Sequence, residues 1–130
     1  MGERLKITVY YDLARYPHVK LERDQALAFI SLVVKKHGAT RDLEEAERYI
    51  RAFDEFYGIA WRRSNGYIIV PKDSKDTVKG RVVVHKIRLL IENGVKVVEL
   101  ILDRRVSRDL IESCLRDLGY SEIEYASIDS

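Results

Sequence analysis

The stretch Val95–Leu102 constrains the fold of this chain more than any other part of the sequence. Its residues are V-K-V-V-E-L-I-L, six apolar and two charged. A run this short and this apolar is typical of a strand that is covered on both faces. Residues 107–118 follow with a helical pattern and residues 123–128 with a strand pattern. Strand, helix and strand form a crossover unit, so we expect Val95–Leu102 to be an inner strand of a sheet.

The other patterns predict a single α+β or α/β domain over residues 1–130. We expect a mixed sheet of about five strands with about three or four helices packed on it. Leu5–Tyr11 alternates apolar and polar residues, which is typical of a half-buried strand. Residues 24–37 and the amphipathic residues 41–57 predict two helices, the second of which ends at Gly58.

Residues 81–92 allow two interpretations. As a helix, they carry one polar stripe and one apolar stripe on opposite sides. As a strand, they would pair with the apolar strand that follows, through a turn at Asn93 and Gly94, with Arg88 opposite Glu99. We favour the helix, and the strand stays open as the alternative.

Asn65 and Gly66 predict a β-hairpin over residues 59–71, because Asn-Gly supplies both positive-φ positions of a type I′ turn. Residues 59–105 carry eleven basic and five acidic side chains, a net charge of +6, whereas residues 106–130 have a net charge of −4. Basic side chains bind phosphates, and aromatic rings stack on bases. We therefore expect a nucleic-acid-binding surface made by Arg62, Arg63, Tyr67, Lys72, Lys75, Lys79 and Arg81. The alternative is a hairpin that Trp61 anchors by packing, with arginines that are only solvated.

Asp12 and Asp103 suggest a second function, since each directly follows an apolar strand. In open parallel sheets, sites form at the carboxyl ends of strands. If the two strands are parallel neighbours, the carboxylates converge and could hold Mg²⁺ or Mn²⁺, with Arg104 and Arg105 facing a phosphate. The protein would then be a metal-dependent phosphoesterase or nuclease. The alternative is that both aspartates are ordinary loop residues, so the sequence leaves open whether the protein is an enzyme.

The helix predicted over residues 24–37 suggests a third function. Its side chains are apolar almost all round, and such a helix is buried either in the core or against a partner. We therefore keep a homodimer that uses this helix as a hypothesis. The protein would then be structural or regulatory, without catalysis.

Composition excludes several classes of protein and site. No apolar run is long enough to span a membrane, and the N-terminal residues lack a signal-peptide pattern, so we expect a cytoplasmic protein without a membrane partner. Cys114 is the only cysteine, which excludes an intrachain disulfide, and we expect it to be buried. Charged residues make up 34% of the chain, and side-chain amides are few, which is typical of thermophilic proteins.

The three histidines are scattered along the chain, which argues against a histidine-rich metal site. His18 follows Pro17 in a polar connection, so we interpret it as an exposed loop histidine. No standard nucleotide-binding or catalytic motif is present.

Overall fold

The computed structural model describes residues 5–128. Within them, six strands form one sheet: β1 (Leu5–Tyr11), β2 (Pro17–Glu22), β3 (Tyr67–Ile69), β4 (Val84–Glu92), β5 (Val95–Leu102) and β6 (Tyr120–Ser127). The helices are α1 (Arg23–His37), α2 (Arg41–Arg51), α3 (Phe53–Ser64), α4 (Ser74–Val78) and α5 (Arg108–Asp117). The predicted mixed sheet with helices is confirmed, with slightly more strands and helices than expected.

The strands lie in the order β3-β4-β5-β2-β1-β6. All neighbours are antiparallel except β1 and β6, which are parallel. Strand β5 has β4 on one side and β2 on the other. The prediction that Val95–Leu102 is an inner strand is therefore confirmed.

One face of the sheet is covered by helices and contributes most of the core. Alternation along the strands places Val9, Val19, Ile87 and Leu100 on this face, each fully buried. The four longer helices pack on it, while α4 has no buried residue. In residues 5–128 the opposite face carries no helical layer, and we call it the open face.

The β-hairpin predicted over residues 59–71 is wrong, because residues 59–64 belong to helix α3. The Asn65-Gly66 pair ends this helix, with φ angles of 57° and 91°, and the Gly66 N–H donates to the Ala60 carbonyl at 3.1 Å. Left-handed residues suit a helix C-terminus as well as a tight hairpin. Strand β3 pairs instead with β4.

The helix favoured over residues 81–92 is also wrong, and the alternative is confirmed. Residues 84–92 form strand β4, which turns at Asn93-Gly94 and pairs Arg88 with Glu99. A register shift between Val84 and Lys86 places an additional residue in the strand. Such a bulge breaks the two-residue alternation by which a strand is recognised.

The helix predicted over residues 41–57 is divided into α2 and α3. Ala52 has φ −96° and ψ 38°, which lies outside the helical region. The Arg23 side chain donates to the carbonyls of Ile50 and Arg51, at 3.1 and 2.7 Å, so it satisfies backbone groups at the end of α2. Gly58 lies inside α3 rather than ending a helix.

The helix predicted over residues 24–37 is confirmed as α1. It contacts α2, α5 and the inner strands β2 and β5, and Phe29 and Ile30 are 0% and 1% exposed. Burial within one chain thus accounts for its central apolar residues, which weakens the sequence argument for a homodimer through this helix. Cys114 on α5 is buried as predicted, and this burial raises the pKa of its thiol to about 11.

Candidate functional site

The seven basic and aromatic residues predicted to bind nucleic acid do not form one surface. The side chains of Lys72 and Arg81 form hydrogen bonds with backbone carbonyls of the fold. Lys72 Nζ donates to the carbonyls of Val70 and His85 at 2.7 Å, and its burial lowers its pKa. Arg81 Nη2 donates to the His37 carbonyl at 3.2 Å. The remaining residues are divided between two places: Lys75 and Lys79 are exposed at α4, whereas Arg62, Arg63 and Tyr67 lie near the end of α3.

Tyr67 lies on the open face beneath two cations. Lys86 Nζ is 4.7 Å from the centroid of its ring, and the Arg88 guanidinium carbon is 4.8 Å away. Arg88 is opposite Tyr67 in the strand register, and its Nε donates to the Asn65 carbonyl at 3.0 Å. Arg63 shares an apolar groove of about 260 Å³ with Tyr67. We call Arg62, Arg63, Tyr67, Lys86 and Arg88 the basic aromatic surface.

Trp61 is used for packing rather than for binding. Its indole N–H donates to the Leu89 carbonyl at 2.7 Å. Its ring covers Gly66 so closely that a Cβ atom there would come within 2.7 Å of the indole nitrogen. The packing role that the sequence alternative gave to Trp61 is therefore found, although Trp61 lies in helix α3 and not in a hairpin.

His18 lies between two carboxylates on the open face. Its Nε2 is 2.9 Å from Asp12 Oδ2, and its Nδ1 is 2.9 Å from Glu99 Oε2. The residue is only 9% exposed. The expectation of an exposed loop histidine is wrong because Pro17 opens strand β2, a position in a strand where proline is tolerated.

The electrostatics of this triad favour the charged forms of all three groups. Burial alone would lower the pKa of His18, but hydrogen bonds to Glu99 and Asp12 outweigh it and raise the pKa. The hydrogen bond with His18 lowers the pKa of Glu99 against the effect of burial. Burial would raise the pKa of Asp12, but bonds from His18 and the Tyr16 N–H lower it. In its protonated form His18 donates to a carboxylate from each ring nitrogen, and in that form it has no nitrogen free to act as a general base.

Asp12 and Asp103 lie at the same end of the sheet, but not on neighbouring strands, because β2 separates β1 from β5. Asp12 Oδ1 accepts from the N–H groups of Ala14 and Tyr16, each at 3.0 Å. Asp103 Oδ1 accepts from Arg105 N and Nε. No group of three or more metal-ligating side chains suited to an ion occurs in residues 5–128. The adjacency that the Mg²⁺ or Mn²⁺ hypothesis requires is absent.

An open pocket of about 590 Å³ lies where the parallel strands β1 and β6 end. Arg15, Arg104 and Arg108 line it together with the rings of Tyr11 and Tyr125. We call it the arginine pocket. The Arg108 guanidinium carbon is 4.0 Å from the Tyr125 ring centroid and 5.4 Å from that of Tyr11. Within residues 5–128, none of the three guanidinium groups forms a salt bridge with a carboxylate.

Comparison with known proteins identifies no relative, since no protein-family model, curated protein or solved structure matches the chain. None of the helices formed by residues 5–128 has the length and apolarity needed to cross a membrane.

Two parts of this geometry escaped the sequence analysis. The alternation of His18 and Lys20 with Val19 and Leu21 is a strand pattern, and it would have placed His18 on a sheet face. The arginine pocket depends on the parallel pairing of β1 with β6. Nothing local in the sequence indicates that pairing, because the two strands lie at opposite ends of the chain.

Proposed function

We propose that the protein binds nucleic acid through the basic aromatic surface. The observation that supports this most is Tyr67 beneath Lys86 and Arg88 on the open face. Nucleic acids present phosphates and flat bases side by side, and a ring flanked by cations provides a partner for each. Single-stranded RNA-binding modules also use aromatic residues on an uncovered sheet face.

Charge distribution supports the same surface. Four of its five residues are basic, and they belong to the part of the sequence that carries the net charge of +6. Arg62 and Arg63 are both exposed on the last turn of α3. Glu99 is the acidic neighbour of Arg88 in the sheet, but His18 already occupies one of its oxygens. The surface therefore keeps an excess of positive charge that can contact phosphates.

The test is binding of labelled single- and double-stranded DNA and RNA, followed by fluorescence anisotropy over a range of salt concentrations. Replacing Arg62 and Arg63 by Ala should reduce the log–log salt slope by roughly two, if each neutralises one phosphate. Tyr67→Ala should cost about 1–3 kcal/mol of binding free energy with little change in that slope, if a base stacks on the ring.

A matched control is the double variant Lys36→Ala/Arg51→Ala. It removes the same charge from α1 and α2, where Lys36 pairs with Asp117 and Arg51 with Glu47. The control should keep the slope of the unmodified protein. If the Arg62/Arg63 variant stays folded and binds with unchanged affinity and slope, these arginines are only solvated and the proposal is wrong.

A further inference from the structure

We propose that the arginine pocket binds the phosphate monoester group of a nucleotide, either free or at the end of a nucleic-acid strand. The strand-end form rests on the proposed function, since the strand would be held by the basic aromatic surface. The free-nucleotide form is independent of it.

The first argument is the positive charge of the three arginines that line the pocket. Arg15, Arg104 and Arg108 come from three different segments, namely the β1–β2 connection, the β5–α5 connection and the first turn of α5. Neighbouring Arg105 differs, because its guanidinium pairs with Asp103 and donates to the Thr77 carbonyl. Within residues 5–128, these three arginines line one pocket without a carboxylate partner, which favours an anionic ligand.

Asp12 is the one acidic residue in the lining among residues 5–128, and the three arginines outnumber it. Asp12 borders the pocket, but its Oδ2 accepts from His18 and its Oδ1 accepts from Ala14 and Tyr16. Both of its oxygens are therefore already engaged, and one carboxylate cannot offset three guanidinium groups. The same contacts fix the connection that carries Arg15, which has a positive φ of 72°.

The type of anion follows from the chemistry of the lining. A guanidinium fork matches two phosphate oxygens, and a phosphate monoester carries close to two negative charges near neutral pH, whereas a diester carries one. A volume of about 590 Å³ exceeds what a phosphate alone would fill and lies in the usual range for small-ligand pockets. The rings of Tyr11 and Tyr125 offer apolar surface to the remainder of the ligand. A nucleotide supplies both the phosphate and the flat apolar group.

The first experiment measures binding of AMP and adenosine by calorimetry. AMP should bind, and adenosine should bind far more weakly, because the phosphate supplies the recognition. The variant Arg15→Gln/Arg104→Gln should weaken AMP binding by roughly tenfold or more, since hydrogen bonds to charged groups are lost. Both side chains are exposed, so folding should survive. The control Lys36→Ala/Arg51→Ala should bind AMP with unchanged affinity.

The second experiment compares oligonucleotides that differ only in a terminal phosphate or hydroxyl. A preference for the phosphorylated strand, lost in Arg15→Gln/Arg104→Gln and kept in Arg62→Ala/Arg63→Ala, would support the strand-end form. AMP binding without any oligonucleotide binding would support the free-nucleotide form and contradict the proposed function. Equal binding of both oligonucleotides, with no AMP binding, would overturn the pocket proposal and leave the proposed function standing.

Discussion

The two faces of the sheet use the same strands for different purposes. In β5, Val98 and Leu100 are fully buried beneath the helices, whereas Glu99, between them in sequence, lies on the open face beside His18 and Arg88. The helical face is held by apolar burial, which is the dominant favourable contribution to folding. The open face is organised by charges and rings. Along β5, apolar burial beneath the helices and the charged contacts of Glu99 are thus separated by a single residue step, while Ile101, opposite His18 on the open face, is also 0% exposed.

The largest expected effect belongs to the helical face. Phe29→Ala should reduce the free energy of unfolding by about 3–5 kcal/mol, because the side chain is 0% exposed and its removal leaves a cavity. Chemical denaturation measures this loss. The matched open-face variant is Ile69→Ala, at a residue 72% exposed, and it should cost about 0.5 kcal/mol or less. Similar losses for the two variants would contradict the separation of the faces.

The second expected effect concerns a buried hydrogen-bond acceptor on the helical side. Asp42 is 0% exposed, and its Oδ2 accepts from the N–H groups of Val83 and Val84, each at 2.8 Å. Asp42→Ala should cost about 2–4 kcal/mol, because two buried donors lose their acceptor. Asp54→Ala, at an exposed residue that pairs with Lys96, is the control and should unfold at nearly the same denaturant concentration as the unmodified protein.

The third and smallest effect lies on the open face and depends on pH. The pKa of His18 is raised above its ordinary value of 6.5, so its contribution to stability is fully present below pH 6.5 and is lost as the pH rises through the folded-state pKa. The pKa values of Asp12 and Glu99 are lowered. Their contributions are therefore present above their ordinary values and are lost as the pH falls.

The variant His18→Gln should consequently be less stable by about 1–3 kcal/mol near pH 6. This difference should shrink at both higher and lower pH, and denaturation curves at several pH values would reveal it. The control Lys6→Gln removes an exposed pair with Glu124 and should show a small difference without that pH profile. A pH-independent loss for His18→Gln would mean that the triad contributes packing rather than charge.

How much of the fold the sequence predicts depends on whether a pattern has one structural meaning. The apolar run of β5 and the apolar pattern of α1 each allow one structural interpretation, and both elements were predicted. The Asn65-Gly66 pair allows two structural interpretations, a hairpin turn and a helix C-terminus. The packing of Trp61 over Gly66 accompanies the helix C-terminus. The bulge at Val84 obscured β4. In each failure a tertiary contact or a local irregularity decided between alternatives that the local sequence allowed.

For the candidate sites, too, the local sequence predicted only contacts between residues that are close in the sequence. Tyr67 and Arg63 were predicted as neighbours because they lie on either side of one turn. The carboxylates around His18 are six and eighty-one residues away from it, and no local pattern relates Glu99 to β2. Sites assembled from separate strands require the strand order, which the sequence alone did not provide.

The pairing of β1 with β6 has a consequence for biosynthesis. Leu5 lies opposite Tyr120 in this pair. Of the six strands, the first to be synthesised can therefore pair with the last only after nearly the whole sequence has been made. Strand β2 likewise can pair with β5 only after β5 has been synthesised. Contacts between distant parts of a chain slow folding, and unpaired strand edges invite association with other chains in the interval. Lys6 and Lys20 are exposed on these two strands, and lysine is a residue by which proteins commonly limit association between strand edges.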